Sequence, residues 1–349
     1  MKKLLLLILF ISCTFSLYSC NNSQNNESDD ITQSGSTQIN WNYLGSEYKW
    51  NYVWWWAMNL AWTELSENII HEKLIPDTND STILEMIYKL NNPVFTKSDL
   101  DEKSYYVKSW YGQSTVNTIN KETKEKFPTK SFGDLQMSLS PTDIISYAYF
   151  LKEVEYKTIF EKKDVKFNDE DVKWFFAKSE KQRENIKIIK YENDDKFIIS
   201  LQLIDEKDQL ILAKGYDMNN PESITKEIKQ VNLNSYFYIW KNDIFQAPKL
   251  ILDYHRDYNE LIGIQLANKD FKGYTLSQMF ENIKFDMDEK GARVENEGVI
   301  VIAKSMKIIK EKPKNFILDK PYWVIMKRTD SKNPYFLLGI KNTELIEKN

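Results

Sequence analysis

The chain has 349 residues, 28% charged and 42% hydrophobic, with a formal charge of −4. That apolar content excludes wholesale disorder, and without a basic field no nucleic-acid partner is expected. Two cysteines and two histidines are too few for most zinc sites or a disulfide scaffold, so no metal and no cofactor is expected.

Lys2 and Lys3 open the chain, and Leu4 to Ile11 form an apolar run too short to span a bilayer. The stretch closes on Leu17-Tyr18-Ser19-Cys20, which resembles a bacterial lipoprotein signal cleaved at the cysteine. The alternative is an ordinary secretory signal that contains a cysteine. The lipoprotein resemblance implies a signal over 1–19, acyl chains (palmitate among them) on Cys20, and anchoring to a membrane without spanning it. Cys13 leaves with the signal, so no disulfide remains. The polar run 20–40 reads as a flexible tether, about 25 Å long at roughly 5–6 Å × √n. Asn21 after the cysteine leans toward an outer-membrane or cell-surface location.

From Trp41 to Asn349 no linker or repeat appears, so 41–349 is read as one domain. Apolar residues at Trp55, Met58, Trp62, Leu65 and Ile69 predict a helix within Trp50 to Ile70. The Trp54-Trp55-Trp56 run fits either a buried helix or a stacking platform for sugar or peptide. A second helix is expected over Ser81 to Leu90 and a third within Ser98 to Ile119, ending near Asn120. Strands are expected at Ile144–Leu151, Phe197–Leu203, Gln209–Ala213, Lys249–Tyr254, Phe280–Asp286, Val299–Ile302, Tyr322–Lys327 and Tyr335–Ile340. Short helices are expected at Glu222–Gln230 and Asn259–Ala267. Helices followed by a large, mostly antiparallel sheet argue for an α+β fold.

Catalytic equipment is sparse. His71-Glu72 has no second histidine four residues on, and no Gly-x-Ser-x-Gly elbow or phosphate-cradling glycine loop exists. His255 sits in a polar strand end, where a structural histidine is the better reading. Asp286, Asp288 and Glu289 before Gly291 read as a solvated turn. No enzyme is expected.

The C-terminal motifs point elsewhere. Lys284-Phe285-Asp286-Met287-Asp288-Glu289-Lys290-Gly291 resembles the segment that leads into the reactive loop of serpins, the serine protease inhibitors. Asp319-Lys320-Pro321-Tyr322-Trp323-Val324-Ile325 and Tyr335-Phe336-Leu337-Leu338-Gly339-Ile340 resemble their two closing strands. Phe245 to Gly263, Asp270-Phe271-Lys272-Gly273 and Ile144 to Phe160 (with Tyr147, Phe150, Leu151, Lys152, Tyr156 and Phe160) are similar to upstream serpin motifs in the same order. The resemblance spans about 105–349 and implies a serpin-like α+β fold whose N-terminal part is shortened. The serpin helix start Ser-Pro-x-Ser-Ile is absent, since Ser140-Pro141-Thr142 directly precedes the central strand.

The resemblance implies a loop over 292–315 that a protease cleaves and that then inserts into a sheet. Its hinge would comprise Gly291, Ala292, Val294, Asn296 and Gly298. By strand periodicity, Ala292, Val294, Asn296, Gly298, Ile300 and Ile302 share one face, and Arg293, Glu295 and Glu297 begin the other. Those charges would slow insertion and favour a substrate-like or non-inhibitory loop. An ordinary permanent strand is the alternative. The bait is expected near Lys304, Ser305, Met306 and Lys307, which would suit a trypsin-like serine protease. The expected partners are thus a protease and a membrane, with the chain a monomer, or else a non-inhibitory surface lipoprotein that uses the architecture for binding or display.

Overall fold

A computed structural model describes residues 37–40, 48–167, 170–233, 235–292 and 312–348. All belong to the compact unit 33–349. The chain opens with β1 (Thr37–Asn40), β2 (Asn51–Trp55), α1 (Ala57–Leu65) extended by a π-turn to Ile70, α2 (Ser81–Leu90), β3 (Tyr105–Tyr111) and α3 (Gln113–Lys126). Next come β4 (Ile144–Phe150), β5 (Val154–Glu155), β6 (Glu161–Phe167), β7 (Glu170–Phe176), the single turn α4 (Glu180–Arg183), β8 (Ile186–Asn193), β9 (Lys196–Leu201) and β10 (Asp208–Lys214). The chain continues with α5 (Pro221–Gln230), β11 (Phe237–Tyr238), β12 (Ile244–Pro248), β13 (Leu250–Asp257), β14 (Phe280–Met287), β15 (Gly291–Ala292), β16 (Asn315–Ile317), β17 (Tyr322–Arg328) and β18 (Pro334–Ile340).

An eight-stranded sheet in the order β1-β2-β18-β17-β10-β9-β8-β11 forms the centre. Its pairs are antiparallel except β1 with β2. Every residue of β18, and of β17 up to Lys327, is buried. These strands are therefore covered on both faces, as continuous apolar runs require. A four-stranded sheet runs β16-β12-β7-β6, and two further ladders, β3–β4 and β13–β14, are two-stranded among the described residues.

Aromatic contacts seat both ladders on the central sheet. Phe150 of β4 lies 5.3 Å from Trp55 and 5.5 Å from Tyr335 between ring centroids. Phe285 of β14 lies 4.6 Å from Phe336, which itself lies 4.9 Å from Trp55.

Several expected elements shift. Trp50 to Trp56 is not helical: Asn51–Trp55 is an inner strand between β1 and β18, and the helix begins at Ala57. Tyr52, Val53 and Trp54 are all fully buried, which a strand covered on both faces allows and one face of a helix does not. The tryptophan run is core, not a stacking platform. Within Ser98 to Ile119 the chain instead forms β3, and the helix runs from Gln113 to Lys126. Asn259–Ala267 contains only one 3-10 turn, Asn259–Leu261. Thr37–Asn40, the end of the expected tether, is a strand of the central sheet. The expected strand Val299–Ile302 lies outside the described residues.

Gly339 shows how closely the core is packed. A Cβ there would stand 2.7 Å from Cζ3 of the fully buried Trp323, its partner across the ladder. Gly339→Ala is expected to destabilise by about 1–3 kcal/mol, and Trp323→Phe in the same chain to restore part of the loss. An unchanged melting temperature for Gly339→Ala would show that the indole does not pack there.

Candidate functional site where the loop leaves and returns

β14 alternates strictly, with Glu281, Ile283, Phe285 and Met287 buried and Asn282, Lys284 and Asp286 exposed. It delivers the chain to a reversal over Asp288 to Gly291, closed by the Asp288 N–H donating to the Gly291 carbonyl at 3.3 Å. The Lys290 N–H donates to Asp288 Oδ1 at 2.8 Å. Gly291 takes φ +128°, and a Cβ there would meet the Val154 carbonyl oxygen at 2.5 Å and Glu155 Cα at 2.7 Å. Only glycine fits this position.

After the turn, Gly291 and Ala292 pair antiparallel with Glu155 and Val154 of β5. The Tyr156 N–H donates to the Lys290 carbonyl at 3.1 Å and the Phe160 N–H to the Glu289 carbonyl at 2.9 Å. The first two loop residues thus run back along the strand that continues β4.

Glu289 fixes this turn. It is 2% exposed, lying 2.7 Å from Lys162 and 2.5 Å from Lys249, the latter itself largely buried. Burial works to raise its carboxyl, but hydrogen bonds from Lys162 and then Lys249 prevail and hold it at about 2. The solvated-turn reading of this acidic cluster is therefore wrong for Glu289, while Asp286 is exposed as expected.

Two aspartates secure the return. Asp243 Oδ1 accepts from the Lys314 N–H at 2.8 Å. Asp194 accepts from the Asn315 N–H at 3.0 Å and from Asn315 Nδ2 at 2.8 Å. The Asn315 N–H and then the Tyr191 hydroxyl hold the Asp194 carboxyl below its ordinary value. β16 then runs parallel to β12.

Of the expected site residues, Gly291 and the Ala292 backbone stand at the departure point. Val294, Asn296, Gly298, Lys304, Ser305, Met306, Lys307 and Cys20 lie outside the described residues. Lys162, Lys249, Asp194 and Asp243 were not expected. Each meets its partner only through tertiary pairing, and their local sequence carries no signal for it. His255 is half-exposed and hydrogen-bonded to Asn282 at 2.8 Å, a structural role.

No protein-family model and no curated protein matches the chain. Solved structures do. The thermophilic serpin Tengpin in its native state aligns over 82% of this chain and 88% of its own, at a TM-score of 0.50 and 14% identity. Human thyroxine-binding globulin complexed with thyroxine aligns over 81% and 95%, at 0.43 and 10%. Mouse protein-Z dependent protease inhibitor aligns over 66% and 63%, at 0.43 and 14%. The chain has a serpin-like α+β fold with few helices and large, mostly antiparallel sheets.

The Glu289 carboxyl is depressed, so its stabilisation is present above the ordinary carboxylate range and is lost as pH falls toward about 2. Glu289→Gln is expected to cost roughly 3 kcal/mol at pH 7, with variant and parent converging near pH 2 in thermal melts. A constant difference across that range would rule out the charge pairing as its source.

Proposed function

We propose that this chain is a lipid-anchored, extracytoplasmic protein that binds a serine protease through the loop over 292–315 and draws the cleaved loop into its sheet. The antiparallel pairing of Gly291 and Ala292 on β5 carries this reading. β4 and β14 each have one partner strand among the described residues, β3 and β13 respectively. The loop starts in the direction that a strand entering between β4 and β14 would need.

The register adds a second support. Continuing from Gly291 opposite Glu155, Val294 would face Lys152, Asn296 Phe150, Gly298 Ala148, Ile300 Ser146 and Ile302 Ile144. Phe150 and Ser146 point inward, to the aromatic floor and to the Ala61 carbonyl of α1. The alternate set that is small or apolar, Asn296 excepted, would therefore enter the core. Lysines 304 and 307 would suit a protease with an acidic specificity pocket.

One observation favours the rival reading, a non-inhibitory protein used for binding or display. In the same register Glu297 would face Tyr149, whose buried ring packs against Phe127 and Phe132. The charges would have to pass beneath that cover, which slows entry.

Incubation with trypsin separates the readings. Trapping gives a covalent high-mass band on a denaturing gel, and cleavage near Lys304 to Lys312 raises the melting temperature sharply. Fragments alone, with no rise on cleavage, would leave only display. For the anchor, Cys20→Ala is expected to move the protein from the membrane to the soluble fraction. Continued membrane partitioning would defeat the lipid assignment.

A further inference from the structure

We infer that the outer edge of the central sheet carries a carbohydrate site: Tyr238 and Trp240, with Phe237 at the rim, form a stacking platform for a neutral oligosaccharide. The inference goes beyond the reading of the loop and uses none of its residues.

The run Tyr236-Phe237-Tyr238-Ile239-Trp240 holds four aromatic residues in five positions. Within it β11 pairs with Lys187 and Ile188 of β8 at the edge of the eight-stranded sheet. Ile239 is buried and ties the run to the core, whereas Phe237, Tyr238 and Trp240 are 75%, 43% and 52% exposed. Residues two apart on an extended chain share a side, so Tyr238 and Trp240 stand together, about 7 Å apart along the chain. Rings this exposed add little to the core, and a sheet edge that shows them invites unwanted pairing. The platform that the buried Trp54-Trp55-Trp56 run does not provide is therefore available here.

The rings are set before any ligand arrives. Lys187 Nζ lies 4.3 Å from the Tyr236 ring centre, and Tyr236 meets Tyr238 edge-on at 5.4 Å and 72°. Tyr236 is thus the support and Tyr238 the open ring. Gln202 Nε2 donates to the Glu184 carbonyl at 2.5 Å, and the Gln202 side chain and the Tyr236 hydroxyl both act on the Tyr238 hydroxyl. The Trp240 N–H donates to Asp243 Oδ2 at 2.8 Å, and the Asp243 N–H returns to the Trp240 carbonyl at 3.0 Å. A platform fixed in this way loses little freedom on binding.

Three features choose the ligand. A pyranose offers a weakly positive face of C–H bonds, which suits the negative face of an aromatic ring, and a rim of hydroxyls. The Tyr236 and Tyr238 hydroxyls, Gln202, Glu184 and Lys187 supply donors and acceptors for that rim. Charge is balanced: Lys157 pairs with Glu206 at 2.5 Å, and Lys187 and Lys241 lie within three residues of Glu184 and Asp243 in sequence. A polyanion would call for a basic field instead. At about 200 Å² per ring, the exposed parts of Phe237, Tyr238 and Trp240 come to roughly 350 Å², against about 800 Å² per partner in a stable protein interface. That area suits a short oligosaccharide, and β11, at two residues, is too short to pair edge to edge with a second copy.

The test is affinity electrophoresis of the full chain as Cys20→Ala, in native gels that contain mixed-linkage β-glucan, xyloglucan, galactomannan or glycogen, with hyaluronan as the anionic comparison. Retardation is expected in at least one neutral gel and not with hyaluronan. Tyr238→Ala and Trp240→Ala should each weaken it about five-fold or more, and Trp240→Phe should keep most of it. Trp110→Ala, which removes an exposed ring on β3, should leave it unchanged. No retardation in any neutral gel, retardation that survives both alanine variants, or retardation by hyaluronan alone overturns the site. Self-association, or binding to phosphatidylcholine vesicles, that Trp240→Ala abolishes while no polysaccharide retards the chain overturns it as well. Should an alanine variant not fold, fluorine NMR of the fluorotryptophan-labelled chain decides. The resonance missing from Trp240→Phe must move when oligosaccharides of the retarding polymer are added, and a fixed resonance overturns the site. No protease enters these measurements, so failure of the trypsin experiment would count against loop capture and leave the platform standing.

Discussion

Trp55, Tyr335 and Phe336 make a floor on which two separate ladders rest. Phe150 brings β4 onto it and Phe285 brings β14. Aromatic contacts of this kind tolerate sideways displacement, because ring pairs keep much of their energy over a broad range of offsets. A backbone ladder does not, since a one-residue slip reverses every side chain. The ladders meet the central sheet through these aromatic contacts and a few polar ones, Arg256 of β13 donating to the Ile39 carbonyl of β1 and Lys152 after β4 pairing with Asp208 of β10, and are fixed internally by their backbone ladders.

Glu281 and Glu289 stand on the same segment eight residues apart, and both side chains are almost wholly buried. Their carboxyls diverge from about 7 to about 2. The difference lies in the neighbours. Glu289 has two lysines within 2.7 Å, whereas Glu281 accepts from a phenol, and Arg256 is already engaged by Glu260. The first therefore stays ionised over nearly the whole accessible range and pins the turn at the loop's departure. The second sits where a proton changes the cost of burial.

The sequence was informative where burial is two-sided. Tyr322–Lys327 and Tyr335–Ile340 stand out as apolar runs, and the Asp-Glu-Lys-Gly sequence coincides with the chain reversal after β14. It was misleading at Trp54-Trp55-Trp56, where helical spacing and an inner strand demand the same residues, and only the neighbours β1 and β18 decide. β6, which reads Glu161-Lys-Lys-Asp-Val-Lys-Phe, has no hydrophobic period to find. Its strand form comes from pairing with β7. β5, β15 and β16 are two or three residues long and exist only because a distant segment lies alongside. The Glu289 clamp was hidden for the same reason, since Lys162 and Lys249 are more than a hundred and about forty residues away in sequence.

The energetics of strand entry turn on few side chains. Ten added ladder positions would gain about 0.5–1.5 kcal/mol per hydrogen bond, and fixing their backbone would cost about 1–2 kcal/mol per residue. These terms nearly cancel. The net drive would then come from Val294, Ile300 and Ile302, at roughly 1.5–3 kcal/mol for each side chain buried. Against them stand Glu295 and Glu297, which gain nothing until they clear the cover formed by Phe127 and Phe132. Because Val294, Ile300 and Ile302 would take the inward parity, and Glu295 and Glu297 the outward one with Val299 and Val301, the finished state would be favourable while the path to it would be obstructed. The balance between trapping and release would thus be kinetic and set at the outer face of β4.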